Sequence, residues 1–188
     1  MRRVKENIVG KKGILLFNIF SKFIAVISIM MLIGTTIGGI YGINELTKKD
    51  VNYVELAKNE DFDFALTAID FTQDEFLEMV DQVNTVKGLV TMYSIYFLEN
   101  IFAIVFLLVF YICVWLVTDN IKKNENMPFT KENLNILTKG AIVLIFILAI
   151  QLVPSILTDR GIVTQLEYLL MICIFRYLFD VGCKLQEK

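Results

Sequence analysis

The run Asn100 to Thr118, NIFAIVFLLVFYICVWLVT, constrains this chain more than any other feature: nineteen residues carry no charge. As an α-helix, at about 1.5 Å rise per residue, it reaches about 28 Å, close to the thickness of a bilayer's hydrocarbon core. A water-soluble domain of 188 residues has no need of so long an uncharged apolar helix. Apolar residues make up 56% of the chain and mean hydropathy is +0.62, both high for a soluble protein. The length suits one domain, and the other segments can be placed relative to this run.

Four spans follow from apolar length. The first is Phe23 to Ile43, too long for a signal-peptide core and followed by Asn44 and Glu45 instead of a small-residue cleavage site, so it reads as a retained anchor. Its glycines Gly34, Gly38 and Gly42 recur every four residues and share one helical face, which lets another helix approach closely. Packing within the chain is the favoured use of that face; a seam between copies in a homo-oligomer is the alternative. The second span covers Leu89 to Thr118, with its outer part protruding and Glu99 at the outer boundary rather than deeply buried. The third runs from Gly140 to Leu157, where Pro154 is expected to kink or end it. After a short link, Ser155 to Ile162, the fourth covers Val163 to Val181. It is the least apolar, holding Glu167, Arg176 and Asp180. A charge facing lipid costs about 3 kcal/mol on insertion scales, so these side chains are expected to face the bundle or reach the headgroups.

Orientation follows from lysine and arginine. Residues 1–22, the loop 119–139 and the C-terminal part of the chain carry thirteen basic residues, and the opposite side five. The first group is therefore assigned to the cytoplasm, with 182–188 as a cytoplasmic tail. Residues 1–22 hold six basic residues and one acid among apolar ones. They read as a cytoplasmic flank, or as an amphipathic helix on anionic lipid. Residues 44–88 lie outside, with eleven acids against four lysines and a net charge of −7. Interspersed aromatic and aliphatic residues argue against a disordered acidic tail. The alternation of Phe62, Phe64 and Leu66 suggests a short strand. Thr72 with Glu75 forms a capping-box pattern that starts a helix near Gln73. Phe76, Leu77, Val80 and Val83 share its face, and it is expected to continue straight into the second span. The expected fold is thus an all-α integral membrane protein, four transmembrane helices with a small extracellular α(+β) insert between spans 1 and 2. The acids form a solvated face or, alternatively, attract a cationic extracellular peptide.

The cytoplasmic loop reads DNIKKNENMPFTKENLNILTKG. Thr130 is a good N-cap and Glu132 falls in the favourable first turn. Pro128 keeps Met127 out of the helical region, and a helix should run from Lys131 unbroken into span three. The motif M-P-F-T-K-E-N here, a long outer segment after span one and a terminal F-x-x-G-x-x-L-Q together resemble a family of bacterial membrane proteins catalogued as domain of unknown function 2975. The matching residues are Pro128, Phe129, Thr130, Glu132 and Asn133, then Phe179, Gly182, Leu185 and Gln186. The family usually continues past L-Q with acidic and polar residues, whereas this sequence ends at Glu187-Lys188. The resemblance implies a small helix-turn-helix transcriptional regulator as a cytoplasmic partner, with no direct nucleic-acid contact by the membrane protein itself.

Catalytic signatures are missing. The chain has no histidine, which removes the commonest general base and metal ligand. Its three cysteines, Cys113, Cys173 and Cys183, form no C-x-x-C pair, so neither a disulfide framework nor a zinc site is expected. Phosphate-loop, serine-hydrolase and zinc-protease motifs are absent. No cofactor, metal or catalytic residue is assigned, and an enzyme is not expected. Two functions remain open. One is a small sensor, regulatory or immunity-type membrane protein whose cytoplasmic surface, with Lys122, Lys123, Pro128, Phe129, Thr130, Glu132 and Asn133, holds a partner. The other is a subunit of a transporter or channel in which Glu99, Gln151, Glu167 and Arg176 line a polar path.

The orientation is testable in a cysteine-free background. A cysteine replacing Lys58 should react with a membrane-impermeant maleimide on intact cells, and one replacing Gln186 only after permeabilisation. The reverse pattern would overturn the charge-based assignment.

Overall fold

In lipid every backbone N–H and C=O must be satisfied within the protein, which leaves helices and closed barrels. Apolar runs of this length with helix-forming side chains choose the helix. The computed structural model describes residues 2–83, 85–124, 128–158 and 163–186, with side chains from residue 12 onward and not for 158, 163 and 164. Seven helices follow one another among the described residues: α1 (Arg2–Leu46), α2 (Tyr53–Ala57), α3 (Glu60–Ala68), α4 (Gln73–Gln82), α5 (Val86–Lys123), α6 (Lys131–Thr158) and α7 (Val163–Gln186).

Among the described residues three helices are long and apolar enough to cross a membrane: Lys12–Leu46 within α1, all of α5, and Lys131–Leu157 within α6. The expected fourth span differs from them. Helix α7 has 24 residues, but every stretch of 18 within it holds at least three of Glu167, Arg176, Asp180 and Lys184. Length alone therefore does not make it a spanning helix. The three apolar helices bury little of themselves: only about a third or less of each span's most apolar stretch is covered by protein. Phe17, Phe23, Met30 and Ile37 on α1 and Phe146, Val153 and Ile156 on α6 are exposed. Continuous exposed apolar surface of this kind belongs to a lipid-facing helix.

The chain divides into two compact units. One comprises Met1–Ser28, Phe106–Ala149 and Ile162–Lys188; the other comprises Ile29–Val105 and Ile150–Gly161. In the first, Phe110 packs against Tyr168 with ring centroids 4.9 Å apart, and Cys113 lies against Gly140. In the second, Leu46, Phe62, Leu66, Ile69, Phe71 and Phe76 of the acidic segment build a core together with Leu89 and Tyr93 of α5. Phe62 and Phe76 meet edge to face at 5.0 Å.

Local chemistry explains the short helices and corrects two expectations. The anticipated strand at Phe62–Leu66 is the helix α3. Asn59 caps it, accepting from the backbone N–H of Asp61 at 2.9 Å and of Phe62 at 3.2 Å. Glu60, Asp61 and Asp63 lie in its first turn, where the helix dipole favours negative charge. Phe62, Ala65 and Leu66 are buried while Phe64 is exposed, a helical spacing that a five-residue alternation disguises. Asp70 ends α3 with φ 54°. The Asp70 N–H bonds to Thr67 O and the Phe71 N–H to Leu66 O, both at 3.0 Å, which is a Schellman motif with aspartate where glycine is usual. Phe71 and Leu66 are both buried in the same core.

Helix α4 begins at the expected capping box: Thr72 N–H donates to Glu75 Oε2 at 2.7 Å and Glu75 N–H to Thr72 Oγ1 at 3.2 Å. It does not continue into α5. Val83 is extended, and Thr85 Oγ1 accepts from Gly88 N–H at 3.1 Å, capping a fresh helix. Gly88 lies in the first turn of α5 and breaks nothing, because glycine weakens a helix without forbidding it. Helix α6 runs unbroken from Lys131, as expected, and passes through Pro154 to Thr158. The link therefore starts later than Ser155.

Replacing Thr72 with Ala removes one half of the capping box and should cost about 1 kcal/mol. The expected readout is a lower thermal midpoint in detergent with unchanged helical content.

Candidate functional site

Two groupings gather the polar residues, one in each unit. The first is the turn between α5 and α6. Thr130 caps α6, accepting from Asn133 N–H at 3.2 Å. Asn133 is fully buried and works as a clip. Its Nδ2 donates to Pro128 O at 2.8 Å, and its Oδ1 accepts from Asn120 Nδ2 at 2.8 Å. Asn124 Nδ2 donates to Asn120 Oδ1 at 3.0 Å, extending the chain back along α5. A neutral amide can do this because it donates and accepts at once.

Phe129 then lies against the C-terminal helix. Its ring meets Phe179 edge to face at 5.4 Å and covers Gly182, where a Cβ would collide with it. The two short stretches that carry the family resemblance, around Pro128–Asn133 and Phe179–Gly182, thus touch each other. Of the seven residues proposed to face a partner, Lys122, Lys123 and Glu132 are exposed, Pro128, Phe129 and Thr130 are half-buried, and Asn133 is inside. Met127 lies outside the described residues.

The second grouping sits in the other unit. Glu99 is 5% exposed, deeper than its expected boundary position. Its Oε1 accepts a hydrogen bond from Ser155 Oγ at 3.0 Å. Gln151 lies one helical turn before Ser155 on the same face of α6. It is 1% exposed, and among the described residues its side-chain oxygen has no hydrogen-bond partner. Glu167 and Arg176 belong to the first unit and are both exposed. Arg176 Nε donates to Thr138 Oγ1 at 3.1 Å, and Asp180 accepts from Lys184 at 2.7 Å. That contact holds the Lys184 ammonium above its ordinary titration range. The four polar residues assigned to one path thus divide between the two units.

The glycines divide as well. Gly38 is filled by Ala68 and Gly42 by Tyr93, whereas Gly34 meets nothing within 4 Å. Gly39, outside the four-residue series, is covered by Phe97. Packing within the chain therefore accounts for Gly38 and Gly42.

Sequence reading missed Asn18, Thr35, Asn100, Asn120 and Ser155. Thr35 Oγ1 and Asn100 Nδ2 both donate to Ala68 O, at 2.8 and 3.3 Å. The signal was available on α1: Asn18, Ser21, Ala25, Ser28, Thr35 and Gly42 are buried, and all are small or polar at spacings of three, four or seven. In a helix otherwise made of large apolar residues, such positions face protein.

Among the described residues no group of three or more histidine, cysteine, aspartate or glutamate side chains could hold a metal. Fold and composition define an all-helical protein of the membrane class. No family model, curated protein or solved structure matches the chain.

Asn133→Ala would remove the hydrogen bonds to the Pro128 carbonyl and the Asn120 amide, both half-buried, at about 1 kcal/mol each. Its thermal midpoint in detergent should fall well below that of Glu132→Gln, which should match the wild type.

Proposed function

We propose that this chain is a small integral-membrane sensor or regulatory protein of the kind represented by domain of unknown function 2975. In this reading α7 is a fourth span, its charges reaching the boundaries while Leu170, Met171, Ile174 and Tyr177, all exposed, face lipid. Both chain ends are cytoplasmic, and the acidic helices α2 to α4 stand outside a bacterial cell membrane. The observation that carries the proposal is the core that the acidic segment forms with the adjoining ends of α1 and α5. Residues with Phe62, Phe76 and Tyr93 fully buried beneath an acidic surface are built to keep one shape, as a receiver of an external cue must. A cationic peptide is the complementary ligand class.

The cytoplasmic surface would hold the partner through the exposed Lys122, Lys123 and Glu132 together with the edge of the Pro128–Thr130 turn. The family resemblance makes a helix-turn-helix regulator that partner. Helix α5 is continuous from Val86 to Lys123, so a displacement of its outer end has a direct covalent route to the turn.

A second reading, a transporter or channel subunit, is favoured by Glu99, Ser155 and Gln151. A buried carboxylate bonded to Ser155, with a buried amide oxygen one turn away that has no partner among the described residues, suits a polar path better than inert packing. Such a subunit would work as a homo-oligomer.

Gentle detergent purification of the tagged protein separates the two. A stoichiometric soluble regulator, reduced several-fold by Glu132→Lys, supports the first. Ion or solute flux in vesicles that Glu99→Gln abolishes, with no regulator recovered, supports the second and overturns the first.

A further inference from the structure

Membrane helices commonly end in lysines, and most of these lysines point into water. Around the C-terminal end of α5 the side chains are tethered instead. Asp119 has Lys22 Nζ at 3.6 Å on one oxygen and Lys123 Nζ at 3.3 Å on the other. Lys22 also stands over the Trp115 ring, 5.2 Å from its centroid, a cation–π distance. Lys122 Nζ donates to Asn18 Oδ1 at 3.2 Å. Asn18 is itself 1% exposed, and its Nδ2 donates to Thr118 Oγ1 at 3.0 Å. Two of these ammonium groups, one from each helix, thus meet a single carboxylate and the third is held by Asn18 beside them, so that among the described residues three positive charges face one negative charge. Lys48 and Lys184 differ, each being set against one acid.

We propose that Lys22, Lys122 and Lys123, gathered around Asp119 and oriented by Asn18 and Trp115, bind the phosphodiester headgroup of an anionic membrane lipid. The inference rests on the membrane-spanning reading of α1 and α5. Each ammonium has three donors and uses only part of them on the contacts described. The side chains of Lys22 and Lys123 are 42% and 75% exposed, so their remaining donors are open. A phosphodiester supplies charge and several acceptor oxygens to such donors. Tethering removes rotamer freedom before the ligand arrives, which lowers the cost of binding. Exposed apolar side chains continue from the lysines along both helices: Phe20 and Phe23 on α1, Leu116 on α5. Acyl chains find a surface there, whereas free phosphate gains nothing from it. Basic clusters at helix ends in the headgroup zone are the chemistry that selects anionic lipids.

The test uses the full chain in neutral detergent, doped with phosphatidylglycerol or phosphatidylcholine of matched acyl chains. Phosphatidylglycerol should raise the thermal midpoint by about 3 °C or more above phosphatidylcholine. That difference should vanish in K22Q/K122Q/K123Q and persist in K184Q. Equal midpoints in the two lipids, or a difference retained in the triple variant, would overturn the proposal. So would millimolar inorganic phosphate reproducing the whole gain, since the headgroup source would then be wrong. If the triple variant does not fold, the wild-type difference is followed from ~0.05 M to ~0.5 M salt: screening should erase it, and persistence refutes it. Failure of the underlying membrane reading shows separately, as protein released from membranes by an alkaline carbonate wash.

Discussion

Hydrocarbon offers a peptide group nothing to bond with, and the rest of this structure follows from that. Helices satisfy their backbones internally, so α1, α5 and α6 can be long and apolar without being tightly covered. Between such helices, lipid is as good an apolar neighbour as leucine, and burial of large side chains stops distinguishing inside from outside. What distinguishes them is close approach and hydrogen bonding. The inner face of α1 is accordingly its small and polar face, from Asn18 and Ser21 through Ala25 and Ser28 to Thr35 and Gly42. Its outer face carries Phe17, Phe23 and Met30, the reverse of a soluble helix.

This inversion explains what could be read from residues alone. Helix existence and class followed from uncharged length, and the start of α6 followed from Thr130 and Glu132. The interior was harder. Gly38 and Gly42 stood out because they recur every four residues on one face, but Asn18 and Thr118 looked like ordinary polar residues near a span's end. Burial and a shared hydrogen bond place both inside. Asn133 sat within a motif that seemed to face a partner, yet it is among the most buried polar residues. A motif states that residues matter and leaves open which way each one points.

The acidic segment shows a different limit. Five residues, F-D-F-A-L, satisfy a strand's alternation and a helix's three-four spacing about equally well. The flanking residues decide between them, because Asn59 offers a cap and three early acids favour the helix dipole. Likewise, one continuous helix was expected from α4 into the second span, whereas a break falls where Val83 turns extended and Thr85 begins a new cap. Breaks in helices follow the availability of a new cap more than the presence of a weak helix former. The separate α4 then places Phe76 and Met79 in the core, which a straight continuation of α5 would carry away from it.

The chemistry of the α5–α6 turn also limits how it can respond. Its described hydrogen bonds join amides, a hydroxyl and backbone groups, none of which titrates at physiological pH. The chain has no histidine, the side chain that ordinarily supplies a charge change between about pH 5 and 8. Asn133 therefore holds Pro128 and Asn120 in the same way throughout that range. A change at this turn has to come from something that moves α5, competes for Phe129, or alters the charge around Asp119. Phe129 is only half-buried, and Gly182 beneath it gives the ring no side chain to grip. Lifting this ring from α7 breaks dispersion contacts and strands no buried polar group.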